Sequence, residues 1–245
     1  MNQSKQNPVV VVMGVGNATG SAVARRFASE GYTAWVSRRN EEKLQPLIQS
    51  IEEAGGQARA FGADARKEEQ VQAMFRTVEE EIGPIEVCVF NVGGNVKFPL
   101  EDTTSRVYYK VWEMGCFAGF LTGREAVHYM KPRGRGPILF TGATASMRGA
   151  SGFAAFSGAK FGLRSLAQSM AREFGPLGIH VAHVIIDGAI DTEWIEELFP
   201  ETYAKKKDDG ILNPEEIAEV YWQLHLQKRS AWTQEMDLRP WMETF

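Results

Sequence analysis

VVVVMGVGNATGSAVARRF, residues 9–27, is the stretch whose reading decides the fold. Its first five residues form a short, mostly β-branched apolar run that ends at Gly14, the pattern of a strand buried on both faces. The run then passes through a glycine-rich turn and opens a helix, which is the context in which the phosphates of a dinucleotide are held. Gly14 lets the chain turn sharply, while Gly16 and Gly20 let the backbone approach a pyrophosphate set on the helix N-terminus. Asn17, Ala18 and Thr19 complete the turn. The same glycines would also serve plain packing of a helix on a strand, and the stretch alone leaves that alternative open.

Similar apolar runs recur at 32–37 (YTAWVS), 58–63 (ARAFGA), 86–91 (EVCVFN), 137–142 (PILFTG) and 180–186 (HVAHVII). Helical periods lie between them. Val71, Met74, Phe75, Val78 and Ile82 share one helical face ended by Gly83-Pro84. Asn213-Pro214-Glu215-Glu216 supplies an N-cap, a first-turn proline and two dipole-matched acids ahead of Ile217, Val220, Tyr221 and Leu224. This alternation predicts an α/β fold, a doubly wound parallel sheet of about seven strands with helices on both faces, in a single domain over residues 1–245. Ligands on such sheets sit at the carboxyl ends of the strands, so chemistry is expected after Gly14, Ser37, Asn91, Thr141 and Ile186. KKKDDG (205–210) reads as a solvated, mobile connection.

Apolar residues at 44% and charged residues at 24% are ordinary globular values that allow a sizeable core. A formal charge of −4 argues against nucleic-acid and membrane-surface partners, since both want a basic field, and leaves small molecules or proteins. Cys88 and Cys116 lie in apolar stretches without metal or redox spacing and read as reduced, buried thiols. The N-terminal MNQSKQNP precedes an apolar run too short for a signal segment or a membrane span, so a cytoplasmic location is expected.

Cofactor choice is read at the end of the second strand. Dinucleotide folds that take NAD usually carry an acid about 20 residues past the turn, for the ribose 2′-hydroxyl. Here the stretch reads Ser37-Arg38-Arg39 and the first acid is Glu41. A guanidinium suits a 2′-phosphate by charge and by its planar fork of donors, which favours NADP(H) over NAD(H). The alternative is a solvated arginine pair opening the next helix.

By these motifs the chain resembles the short-chain dehydrogenase/reductase family over nearly its whole length, which implies a Rossmann-like fold. Gly14, Gly16 and Gly20 resemble the family's GxxxGxG turn, with Ala18 at the middle glycine. Alanine there is a mild departure if φ is negative. The position of Arg38 matches the basic residue of NADP-preferring members. Asp64-Ala65 in GADAR resembles the acid after the third strand that caps the adenine pocket. Asn91, Val92 and Gly93 resemble the last three residues of NNAG. IDGAIDT (186–192) resembles the PG-motif segment, with Asp187 in place of proline and Gly188, Ile190 and the nicotinamide-contacting Thr192 following.

The family's catalytic pattern is broken. A tyrosine four residues before a lysine transfers the proton, a serine thirteen residues earlier holds the substrate oxygen, and a helix asparagine orders a water relay. With Lys160 fixing the register, these positions are Phe156, Ala143 and Gly115. The enoyl-reductase spacing, seven residues before the lysine, also finds phenylalanine, at Phe153. A phenol beside an ammonium can give a proton to an oxygen that receives hydride, and phenylalanine cannot. Thr141, Thr144 and Ser146 offer hydroxyls, but such residues more often cap backbone groups. Tyr108, Tyr109 and Cys116 read as packing. His180 and His183 point to opposite faces of a strand, His128 and His225 are remote, and no metal site is expected. Lys160 either binds the nicotinamide ribose or is an inherited, partly buried cation.

Two readings therefore stand. One is an NADP(H)-dependent oxidoreductase acting on a carbonyl or alcohol by another proton route. The other is a catalytically silent dinucleotide-binding relative acting as a sensor or interaction module. The small residues Ala154, Ala155, Gly158, Ala159 and Gly162 would let another helix approach. In the family this helix builds dimers and tetramers, so a homodimer or homotetramer is expected, with an intrachain contact as the alternative. Residues 189–212 are expected to form a mobile substrate lid carrying Trp194, Ile195, Leu198 and Phe199. The tail, 230–245, has Asp237 where the family's terminal strand has an acid. It adds Trp232, Trp241 and Phe245, to close the pocket, cross to a neighbour or patch the core.

Overall fold

The computed structural model describes residues 7–244; Met1–Gln6 and Phe245 lie outside the described residues. Seven parallel strands are ordered β3-β2-β1-β4-β5-β6-β7. They are β1 (Val9–Met13), β2 (Thr33–Arg38), β3 (Gln57–Gly62), β4 (Ile85–Phe90), β5 (Pro137–Thr141), β6 (His180–Ile186) and β7 (Glu235–Leu238). The first half of the sheet is crossed by α1 (Thr19–Ser29), α2 (Gln45–Glu53) and α3 (Glu68–Thr77). Next come α4 (Ser105–Trp112), α5 (Ala118–Met130) and α6 (Ala154–Phe174). Residues 189–212 hold α7 (Glu193–Leu198) and α8 (Pro200–Tyr203), and α9 (Pro214–Leu226) leads to the last strand.

Alternate residues of the inner strands β1, β2, β4, β5 and β6 serve opposite cores, which is why those strands lack polar alternation. Val10 and Val12 of β1 pack with Phe27 of α1 and Tyr221 of α9. Val9, Val11 and Met13 pack with Phe75 of α3, Leu121 of α5 and Leu163 of α6 on the other face. The expected helical stripe is present, with Val71, Met74, Phe75 and Val78 fully buried, and its last turn, Val78–Ile82, widens to π geometry before Gly83. Asn213 caps α9 by accepting the Glu215 N–H at 2.8 Å, as its sequence predicts. Strand order reverses between β1 and β4, so the crevice opens above their carboxyl ends.

Several expectations change. Residues 204–208 form a 3-10 turn, with Lys206 paired to Asp191 at 2.8 Å and the Asp208 carbonyl accepting Trp241 Nε1–H at 2.9 Å, so KKKDDG is tied at both the lid and the tail. The tail does close the sheet with a strand, β7, despite its unfamiliar sequence. Trp232 patches the core by stacking on His180, with ring centroids 4.9 Å apart, whereas Trp241 is 76% exposed. Cys88 is buried and Cys116 only half-buried, both as free thiols. No helix among the described residues is long and apolar enough to cross a membrane.

Candidate active site

The turn after β1 opens on a position that only glycine suits. Gly14 has φ +87°, and a Cβ there would stand 2.8 Å from Val92. Its N–H and that of Val15 donate to the Ser37 carbonyl at 2.9 and 3.0 Å, and Asn91 Nδ2–H donates to the Gly14 carbonyl at 3.2 Å. Gly16 faces open space, which leaves its backbone accessible to a ligand. Gly20 also borders the crevice, and a Cβ there would stand 3.0 Å from Asn91 Nδ2 and Val15 Cα, so the protein's own packing is tight at this position as well. Ala18 has φ −110°, which tolerates its methyl group. The Thr19 hydroxyl, at the start of α1, is buried without a partner among the described residues.

Above the turn lies a cavity of about 1030 Å³, whose wall includes Gly16, Asn17, Ala18, Thr19, Arg38 and Asn91 at one end. Thr144, Phe156, Lys160, Gly188, Ile190 and Thr192 border the rest. An adjoining pocket of about 550 Å³ shares Gly14, Gly16, Arg38, Val92 and Gly93 and adds Arg39, Asp64 and Ala65. The structure thus gathers the sequence-predicted residues into one crevice, with two corrections. Ser37 is wholly buried, and it is its carbonyl, holding the turn, that matters. Gly115 lies in a π turn between α4 and α5, where an added Cβ would stand 3.0 Å from Ala159 Cβ, so this position packs on α6 and is not on the cavity wall.

Electrostatics sort the crevice into two ends. Arg38 has no ion-pair or hydrogen-bond partner among the described residues, and Lys43 borders the same pocket. Glu41, the first acid after β2, accepts the Gly62 N–H at 2.8 Å and is thereby committed to β3. Asp64 grips Arg66 through bonds of 2.8 and 2.6 Å, and that guanidinium holds its carboxyl below the usual carboxylate range. At the other end, Lys160 is 3% exposed and donates from Nζ to the Thr141 carbonyl at 2.8 Å and to Val92 O at 3.4 Å. Burial lowers its pKa to about 8, because the charged form is the one that loses hydration. The Phe156 ring centroid lies 6.0 Å from Nζ, and both residues border the cavity.

The hydroxyls nominated by sequence are engaged elsewhere. Thr141 bonds the Tyr221 hydroxyl at 2.7 Å, Thr144 donates to Asp187 Oδ1 at 2.6 Å, and Ser146 accepts the Ala143 N–H at 3.1 Å. Ser146 also meets His183 Nε2 at 3.3 Å, and His183 Nδ1 meets Glu235 at 3.1 Å. A proton assigned to Nδ1 satisfies both bonds. This serine, histidine and glutamate line up as a nucleophile relay would, but Ser146 and His183 are fully buried and off the cavity wall, so they brace the turn after β5. The residue that sequence reading missed is Ser157. It borders the cavity beside Phe156, and its buried hydroxyl has no partner among the described residues. No cluster of metal-ligating side chains occurs among the described residues.

Fold and crevice together define an α/β protein of the doubly wound class, with its crevice at the switch point of the sheet. The family profile described as short chain dehydrogenase matches residues 8–202, and the chain belongs to that family. A crystal structure of a short-chain dehydrogenase from Rhodopseudomonas palustris is 49% identical, with a TM-score of 0.83 over 96% of this chain and 100% of that one. 3beta-hydroxysteroid dehydrogenase 1 of Eggerthella lenta is 28% identical over 226 residues, 89% of this chain and 86% of its own length. A crystal structure of an actinorhodin polyketide ketoreductase variant with NADPH shares the fold, with a TM-score of 0.86 and 23% identity over 96% of each chain.

Proposed function

We propose that the protein binds NADP(H) and exchanges hydride with a carbonyl or alcohol carbon, with Lys160 taking over the proton transfer that the family assigns to tyrosine. The observation that carries this reading is the continuous crevice from the Gly14 turn to Lys160. It is furnished with an open Gly16 backbone, an unpartnered Thr19 hydroxyl and an unpaired Arg38 guanidinium. These features fit a nicotinamide dinucleotide: the α1 N-terminus and Thr19 for the diphosphate, Arg38 for the 2′-phosphate, Asp64 and Ala65 beside the adenine, and Thr192 and Lys160 at the nicotinamide end. The NADPH of the ketoreductase structure supports the same choice.

When bound, the cofactor supplies or accepts hydride. The chain's own residues do the rest. Phe156 and Ala143 present an apolar wall to the cavity near Lys160. Lys160 is the one cavity-wall group among the described residues whose proton is made labile near neutral pH by burial, and two of its three N–H bonds are directed at carbonyls, leaving one for a substrate oxygen. Lid residues 189–212 are joined at their base, where Ile190 bridges Leu212, and Trp194 borders the cavity.

The close approach of Gly115 to Ala159, where an added Cβ would stand 3.0 Å from Ala159 Cβ, crowds a relay asparagine and favours the second reading, a dinucleotide-binding protein without turnover. A Phe156→Tyr plus Ala143→Ser variant separates the two under NADPH oxidation with a carbonyl panel. Loss or no change of an existing activity supports the lysine route, and activity present in the variant alone supports the silent reading. The protein is proposed to be a homodimer or homotetramer. The small-residue stripe of α6 is used within the chain, since Cβ atoms at Gly158 and Gly162 would meet Tyr108 Oη at 2.7 Å and Cys116 Sγ at 2.8 Å. The surface left for a second copy is the aromatic ridge of Tyr109, Phe120 and Phe161, exposed by 54, 39 and 43%.

A further inference from the structure

Beyond the nicotinamide end, the cavity wall changes character. Arg148 lies there with its side chain 43% exposed, and its two terminal nitrogens reach Asp187 at 3.2 and 3.4 Å. A guanidinium has five N–H donors, so a carboxylate that engages two leaves three. None of those three has a partner among the described residues. Asp187 is 1% exposed and off the cavity wall. It is fixed from three sides by Arg148, by Arg239 at 3.3 Å and by the Thr144 hydroxyl at 2.6 Å. Held by two guanidinium groups and a hydroxyl, this carboxylate acts as a rigid brace. It occupies the position where the family resemblance expects a proline with no charge to offer, so the brace and the arginine it orients belong together.

Ser157 supplies the second, independent observation. It is 7% exposed and borders the same cavity, and its hydroxyl has no partner among the described residues. A Cβ placed on Gly149, the residue after Arg148, would stand 4.0 Å from Ser157 Oγ, so the hydroxyl lies under the Arg148 segment. A buried hydroxyl without a partner is costly unless a ligand or water completes it. The acids on the cavity wall, Asp191, Glu193 and Glu196, belong to the lid, and Asp191 is already paired with Lys206. Phe153, Phe156 and Trp194 provide apolar wall between the two ends.

We infer that this pocket takes substrates bearing a carboxylate, oxo acids or hydroxy acids with an apolar body, anchored by Arg148 and hydrogen-bonded by Ser157. The planar fork of one arginine beside one hydroxyl matches a two-oxygen acceptor. This inference deepens the oxidoreductase reading and rests on it for the reacting carbonyl, but the anchoring is measurable without turnover.

The experiment titrates the full chain, with and without saturating NADP+, with levulinate and 5-oxohexanoate and with the methyl ester of each, read by calorimetry. The acids are expected to bind on the order of tenfold or more tighter than their esters, the scale of a charge-assisted hydrogen bond. Arg148→Leu should abolish that ratio while ester and NADPH binding persist. Arg148→Lys, which keeps the charge and loses the fork, should retain part of it, and Ser157→Ala should weaken acid binding alone. Equal binding of acid and ester by the unaltered protein, or binding of neither, overturns the inference, and this comparison needs no variant to fold. Failure to bind NADPH alongside a preserved acid preference would instead overturn the cofactor reading and leave the anchor standing.

Discussion

In the proposed reaction the proton transfer turns on one residue, Lys160. Its amine is buried against Thr141 and Val92 carbonyls and titrates near 8, so it is partly protonated at neutral pH. Burial lowers this pKa, so the acid form is lost as pH rises through about 8. Carbonyl reduction by NADPH should therefore fall above pH 8 and alcohol oxidation should rise across the same interval. Lys160→Arg, whose cation does not deprotonate, should lose on the order of 10²-fold or more in reduction rate with no inflection near pH 8, while still binding NADPH. Steady-state pH profiles in both directions measure this, and an unchanged profile in Lys160→Arg would remove lysine from the proton route. The register that places Phe156, Ala143 and Gly115 was legible in sequence because Lys160 fixes it. The pairing of Thr144 with Asp187 and the unpartnered Ser157 were not legible, since both depend on which neighbours the fold brings within 3 Å.

The segment from β5 to β6 is held by a buried relay, and it gives the element scale its own test. His183 of β6 is packed among Ser146, Glu235, Arg164 and Lys160, and burial lowers its pKa to about 4 despite the nearby carboxylate. The unfolded chain binds a proton near 6.5 that the folded chain refuses until about 4, so folding stability is complete above pH 6.5 and declines as pH falls through that window. For one group the loss is on the order of 3 kcal/mol at the lower end. Glu235, whose carboxyl is held low by Arg164 and His183, adds acid sensitivity in the same direction at still lower pH. Urea unfolding from pH 7.5 to 4.5 should show this slope, and His183→Asn should flatten it; an equal slope in the variant would place the acid sensitivity elsewhere. Strand positions were readable because each buried run is bounded by glycine or polar residues. The last strand was not, because EMDL is short and half-exposed and its strand state comes from pairing with β6.

At the scale of the molecule, the described strands and helices present a crevice at the sheet's switch point, and Tyr109, Phe120 and Phe161 stand exposed on α4, α5 and α6. The ridge predicts association: light scattering should give a dimer or tetramer mass, and Phe120→Asp plus Phe161→Asp should lower it. A single-chain mass for the unaltered protein would contradict the assignment of that surface. The sequence already pointed to the fold class through strand–helix alternation, and to residues that border the crevice through Gly14 and Arg38, because both follow from local rules. The small-residue stripe of α6 left two readings open in sequence, since close helix approach within a chain and between chains leaves the same trace, and the intrachain contact is the one seen at Gly158 and Gly162. The most direct test of the whole account is a fluorescence titration of the purified protein with NADPH and NADH, repeated on Arg38→Ala. The account predicts micromolar NADPH binding, NADH weaker by at least about tenfold, and loss of that preference in the variant. Equal affinity for the two nucleotides, or binding of neither, would contradict it.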